Sequence, residues 1–179
     1  MTTASAAPGV KPPGRRPQSG PPLLAPVLAF TALTIGYVVA NRATPHPDAS
    51  GLAVLHHART HGTPIKIGAF LLLASAVPLA LVAAVLYRRL RALGITAPGS
   101  AITLVGGVLA AGALGLSGMF VWSGGRTKTD PALARALADL AFLSGGPAFA
   151  AMFAMLIAGI SVTGLLAGLL PRTRPSRHQ

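Results

Sequence analysis

His46, His56, His57 and His61 fall in one short segment of the chain. Neutral imidazole is the commonest metal ligand. His57 and His61 stand at i,i+4, a spacing that puts two rings on one helical face and within reach of one ion. No carboxylate stands at helical spacing beside them, and Asp48 is the nearest acid in sequence. The alternative reading is a solvated loop in which these histidines are ordinary polar residues. Met119, Met152 and Met155 offer thioethers, which together with histidine would suit Cu(I). Methionines at helical spacing more commonly fill gaps in a core, as for Met152 and Met155 at i,i+3.

Asp139 is the acid closest to an apolar run. An acid inside a membrane would mark a functional site. Arg135 stands at i,i−4, so a solvated ion pair worth a few tenths of a kcal/mol is the simpler expectation. Other chemistry lacks its parts. There is no cysteine, which excludes disulfides, thiolate metal sites and thiol catalysis. The acids are Asp48, Asp130 and Asp139 alone, too few for paired-carboxylate catalysis. Gly124-Gly125 precedes no phosphate-binding turn, and no Ser-His-Asp set is grouped. Neither an enzyme nor a cofactor is expected, and the only metal candidates are His57 and His61.

The elements that must carry these residues are apolar. Uncharged stretches cover Pro22–Asn41, Ile67–Tyr87, the centre of Ala92–Gly125 and Leu140–Pro171. A bilayer-spanning helix needs about 20 apolar residues. Only 10% of the 179 residues are charged and 52% are hydrophobic, with a mean hydropathy of +0.63, against about 25% charged in soluble domains. The expected fold is an all-α integral membrane protein: a four-transmembrane-helix bundle with short interfacial helices on its outer face. The spans fall near 22–41, 66–87, 101–122 and 147–170, within one domain over 21–171. No span contains His, Lys, Arg, Asp or Glu at mid-depth, so haem held by two histidines and an intramembrane proton relay are both excluded.

Residues 1–20 are rich in Pro, Gly, Ser and Ala and read as a disordered cytoplasmic tail; 172–179 read as a basic cytoplasmic tail. The net charge of +12 is scattered over tails and loops, so it points to an anionic bilayer surface and not to nucleic acid. With the N-terminus inside, the inner segments hold Lys11, Arg15, Arg16, Arg88, Arg89, Arg91, Arg172, Arg174 and Arg177. The outer ones hold Arg42, Arg59, Lys66, Arg126, Lys128 and Arg135. The inner set is larger, so both termini are placed in the cytoplasm and the chain in the plasma membrane as a multipass protein. The first span could instead be a signal peptide cleaved after Val38-Val39-Ala40, but its apolar run exceeds the usual h-region of about 7–15 residues.

Two short helices are expected outside. One covers about Ser50–His61, with Asp48 or Ser50 as cap and Gly62 and Pro64 ending it. The other opens at Asp130-Pro131, a cap and first-turn pair, with Leu133, Leu137 and Leu140 on one face. Ser144-Gly145-Gly146-Pro147 should break or kink it before the last span. Pro78 should kink the second span, while Tyr87 and Trp122 suit its inner interface and the outer end of the third. Small residues recur every fourth position at Ala76, Ala80 and Ala84, at Gly107, Ala111 and Gly115, and at Gly164 and Gly168. Such seams hold a bundle together or pair two subunits.

The stretch Gly68-Ala-Phe-Leu-Leu-Leu-Ala-Ser-Ala-Val-Pro-Leu79, then Arg88-Arg89-Leu90-Arg91-Ala92-Leu93-Gly94, Leu114-Gly-Leu-Ser-Gly118 and the run from Arg135 to Pro147 resemble an uncharacterised multipass membrane protein family of high-GC (actinobacterial-type) bacteria. The resemblance covers about Pro22–Arg172 and implies no catalytic residue. It also implies a C-terminally shortened member, because similar proteins continue past a Leu-Pro-Arg-Trp sequence into further spans.

The first functional expectation is a non-enzymatic accessory or structural component acting through helix–helix association. It would act as a homo-oligomer or with a membrane-protein partner, in the lipid bilayer. The alternatives are a small oligomeric transporter or channel for a neutral or apolar substrate, with Thr103, Ser117, Ser161 and Thr163 as polar spots on its path, and an outer-face metal-binding membrane protein.

Overall fold

A computed structural model describes residues 22–94, 98–127 and 129–166. The expected tails at 1–20 and 172–179, and the last turn of the fourth span, lie outside the described residues. The helices are α1 (Leu24–Ala40), α2 (Gly51–Thr60), α3 (Gly62–Ala92), α4 (Pro98–Gly124), α5 (Pro131–Leu143) and α6 (Phe149–Leu166), with a π turn at Ser144–Ala148 between the last two. No strand occurs among the described residues. Among the described residues, three helical runs are long and apolar enough to cross a membrane: Gly62–Ala92, Pro98–Gly124 and Pro131–Leu165. α1 is apolar but has 17 residues, about 25 Å at 1.5 Å per residue, which is less than the roughly 30 Å of a hydrocarbon core.

α4 is the central helix. It packs against α3 on one side and α6 on the other, and α1 packs against the far side of α3. Leu72 and Leu79 of α3 meet Ala110, Ala111 and Leu114 of α4 at the core, with Phe30 and Tyr37 of α1 and Phe149, Met152 and Phe153 of α6 packed around them. Glycine permits the closeness. A Cβ on Gly106 would come 2.5 Å from the Leu156 nitrogen, and one on Gly107 would come 2.3 Å from the Ala83 Cβ. Close backbone approach is how helices gain dispersion energy where lipid supplies no hydrophobic drive. The α4 seam expected at Gly107 and Ala111 is therefore occupied inside one chain. Outward surfaces stay apolar, with Val77, Leu81, Val105, Leu109 and Leu116 all exposed; a surface of that kind suits lipid and not water.

The α2 and α5 caps follow their sequence signals. Ser50 has an extended backbone and its hydroxyl accepts from the Ala53 N–H at 3.3 Å. Asp130 Oδ1 accepts from the N–H groups of Ala132 (2.9 Å) and Leu133 (3.1 Å), with Pro131 in the first turn. These bonds satisfy donors that have no partner within the helix. Gly62 and Pro64 do more than end α2. His61 closes α2 and opens α3 at once, so Pro64 lies in a first turn where its missing N–H costs nothing. α3 then runs uninterrupted through buried Pro78.

At Ser144–Pro147, where a break or kink is expected, the regular α-helix gives way to a π turn, while α5, the π turn and α6 form one continuous helical run. Pro147 has no N–H to give to Leu143, and in a regular α-helix its ring would press on that carbonyl. A five-residue π turn widens the helix there and absorbs the misfit. Ser117 of α4 fastens the wide turn by donating to the Ala141 carbonyl at 2.8 Å. Gly145 leaves room for that hydroxyl, since a Cβ there would lie 2.5 Å from Ser117 Oγ.

Candidate functional site

The C-terminal end of α1, the start of α3, the end of α4 and the α5–π segment converge beneath α2. A cavity of about 360 Å³ lies among them, within the common size range of small-molecule sites. Its apolar lining includes Leu72, Phe120, Val121 and Phe142, with Gly145 and Gly146. Its polar lining is Tyr37, Asn41, His46, His57, Arg135 and Asp139.

Each polar residue is placed by local structure. Asn41 caps α1: its backbone N–H and its Nδ2 both donate to the Tyr37 carbonyl, at 3.0 and 3.1 Å. Its amide nitrogen abuts Gly68, where a Cβ would be 1.6 Å from Nδ2. The Thr44 hydroxyl donates to the Asn41 carbonyl at 2.7 Å and turns the chain back over the bundle. α2 then reaches α5 so closely that a Cβ on Gly51 would lie 2.6 Å from the Pro131 carbonyl oxygen. Arg135 ties this roof down. Its Nε sits 3.0 Å from both carboxylate oxygens of Asp139, and its Nη1 donates to the Ala49 carbonyl. The Arg135–Asp139 pair is thus the half-exposed i,i+4 couple that its spacing suggests. Its further bond to loop 41–50 could not be read from spacing.

The four histidines do not form one group. His46 and His57 line the cavity. His56 is exposed, and His61 borders a shallower groove with Val39, Arg42 and Ile67. The His57 and His61 rings stack, with centroids 4.5 Å apart and planes 19° apart. Nitrogen lone pairs lie in the ring planes, so one ring would have to turn before both could hold one tetrahedral ion. His61 Nδ1 is 2.8 Å from the Thr60 hydroxyl. Among the described residues no three His, Cys, Asp or Glu side chains are grouped to hold a metal. Burial, reinforced by His61 and His56, lowers the His57 pKa from its ordinary value; at neutral pH the ring is therefore an uncharged donor and acceptor.

The methionines do not join the histidines. Met119 is exposed and Met152 packs on the core. Of the hydroxyls a path could use, Thr103 donates to the Gly99 carbonyl at 2.9 Å and Thr163 to that of Gly159 at 2.7 Å, both within their own helices. Ser161 is exposed, and only Ser117 reaches a different helix. Tyr37 and Asn41 escaped the sequence reading. Their i,i+4 spacing at the end of an apolar run is the signal that could have marked them. Comparison with family models, curated proteins and solved structures gives no match for this chain, so its function is read from geometry.

Proposed function

We propose that this chain is a non-enzymatic plasma-membrane protein that holds a small, mainly apolar and uncharged molecule in the cavity under α2. In this reading α1, α3, α4 and α6 are the four spans. α2 and the start of α5 lie at the outer interface, and both termini are cytoplasmic. α1 packs along α3, and its exposed Leu28, Ile35 and Val38 would face lipid; its short apolar length would be met by local thinning of the bilayer. The observation that carries the proposal is the cavity of about 360 Å³, whose lining is mainly apolar with a few polar side chains. A membrane-dissolved molecule that passes through or rests in such a space fits the neutral-substrate transporter or channel reading.

Helix–helix association remains a second reading, on a different surface. Val105, Val108, Leu109, Gly112, Leu116 and Met119 form one exposed face of α4, since steps of 3, 4 and 7 residues share a helical face. That face is free for lipid, for a second copy or for a membrane-protein partner. The stacked His57–His61 rings give an outer-face metal role less support.

The test is photolabelling of the chain in lipid nanodiscs with adamantyl diazirine, a neutral apolar probe. Label is expected on segment 137–146 and should be lost in Ala138→Phe, which places a ring in the cavity wall. Identical labelling of the two proteins would contradict the proposal.

A further inference from the structure

The geometry points to an uncharged single-chain amphiphile as the occupant of this cavity, its alkyl chain against Leu72 and Phe142 and a hydroxyl- or amide-type head hydrogen-bonded by Tyr37 and His57. The inference rests on the binding reading above and narrows it to a ligand class.

Two observations separate a neutral head from an ionic one. The first is charge. Among the described residues, Arg135 and Asp139 are the only full charges on the cavity lining, and they pair with one another at 3.0 Å. Arg135 also gives Nη1 to the Ala49 carbonyl. No other described lining residue offers a cation to a carboxylate or phosphate, or a carboxylate to an ammonium. Burying an ion without a partner is strongly unfavourable. The lowered pKa of His57 works the same way, because a neutral imidazole does not attract an anion.

The second observation is the set of open hydrogen-bonding groups. Neither the Tyr37 hydroxyl nor a ring nitrogen of His57 has a hydrogen-bond partner among the described residues, and both residues line the cavity. A phenol and a neutral imidazole each donate and accept. They match an alcohol or amide, which does the same, and reward such a head without a counter-ion. Asn41 is less available, since its Nδ2 is committed to the Tyr37 carbonyl. The volume of about 360 Å³ equals about a dozen water-sized groups at roughly 30 Å³ each, enough for a chain of about ten carbons. Leu72 and Phe142 supply apolar surface for the chain, and Tyr37 and His57 supply partners for the head.

The test uses the full chain in nanodiscs and a diazirine-bearing decanol. Decanol, decanoate at pH 8 and decyltrimethylammonium are compared as competitors at equal mole fraction in the bilayer. Decanol should suppress labelling of segment 137–146 at least about 10-fold better than either ion, in line with an unpaired buried charge. Tyr37→Phe should weaken decanol roughly 2- to 10-fold, the size of one neutral hydrogen bond, and leave competition by decane unchanged. If adamantyl diazirine labels the cavity while the three heads compete equally, the site stands and the head-group assignment is overturned. If Tyr37→Phe does not weaken decanol, the assignment is likewise overturned. Labelling by neither photoprobe overturns both the site and the assignment.

Discussion

Gly106 and Gly112 lie on the same helix, yet an added methyl group should act oppositely at the two. At Gly106 a Cβ would meet backbone: the Leu156 nitrogen at 2.5 Å, the Met155 carbonyl carbon at 2.9 Å and the Leu156 Cα at 3.0 Å. Backbone atoms cannot rotate aside, so α6 must retreat from α4 by close to 1 Å. A gap of about 0.5–1 Å forfeits a quarter to a half of the dispersion well for each facing atom pair. Overpacking of this kind costs about 1–3 kcal/mol. At Gly112 nothing lies within 4 Å of the added Cβ. Both variants share the helix-propensity gain of Ala over Gly, about 1 kcal/mol, so the difference between them isolates packing. Gly106→Ala should be less stable than Gly112→Ala by about 1–3 kcal/mol, measured by reversible unfolding in mixed micelles with circular dichroism. A difference below about 0.5 kcal/mol, or the reverse order, would refute the placement of α6 against α4.

Ser117→Ala removes the bond to the Ala141 carbonyl. It should cost about 0.6 kcal/mol and at most about 1.7, the measured span for hydrogen bonds between membrane helices; the same unfolding assay reads it, and no change would mean the π turn holds without that hydroxyl. Asp130→Ala should fray the start of α5 at a cost of about 1 kcal/mol. Hydrogen exchange at the Ala132 and Leu133 amides should rise, and unchanged protection there would contradict the cap. His57 sets a pH dependence. Its folded pKa is lowered, so below the unfolded value near 6.5 the unfolded chain takes up a proton before the folded one does. Stability should therefore fall as pH drops through about 6.5 and level off once pH is below the lowered folded value. A pH titration of stability should show that slope in the native chain and a weaker one in His57→Gln; equal slopes would assign the effect to other groups.

Local chemistry was legible in the sequence. Ser50 and Asp130-Pro131 announce the starts of α2 and α5 because a cap needs only its own next three residues. The Arg135–Asp139 couple follows from helical spacing in the same way. Apolar runs located α3 and α4 well, although each extends beyond the hydrophobic stretch, since charged ends such as Arg88–Arg91 continue the helix outside an apolar core. Two features depend on more distant partners. The π turn arises where Pro147 would break a helix that Ser117, on another element, helps hold together. The cavity needs α1, α4 and α5 to meet under α2, and no spacing within one segment encodes that meeting. Gly106 and Gly112 look alike in sequence; only the fold shows that one touches α6 and the other faces outward. The histidines invited a metal reading by spacing; that spacing does bring the His57 and His61 rings together, but their stacked arrangement depends on side-chain rotation that spacing does not encode.

Binding under α2 as proposed requires the α2 roof to lie at the outer face of a bundle that crosses the bilayer four times. Single cysteines, placed in a chain that has none of its own, at Ser50, Ala92, Thr127 and Ser176 and treated with an impermeant maleimide on intact cells, test this directly. Labelling at Ser50 and Thr127, with Ala92 and Ser176 protected until the cells are opened, is the predicted result. Labelling of Ser176 on intact cells, or protection of Ser50, would contradict it.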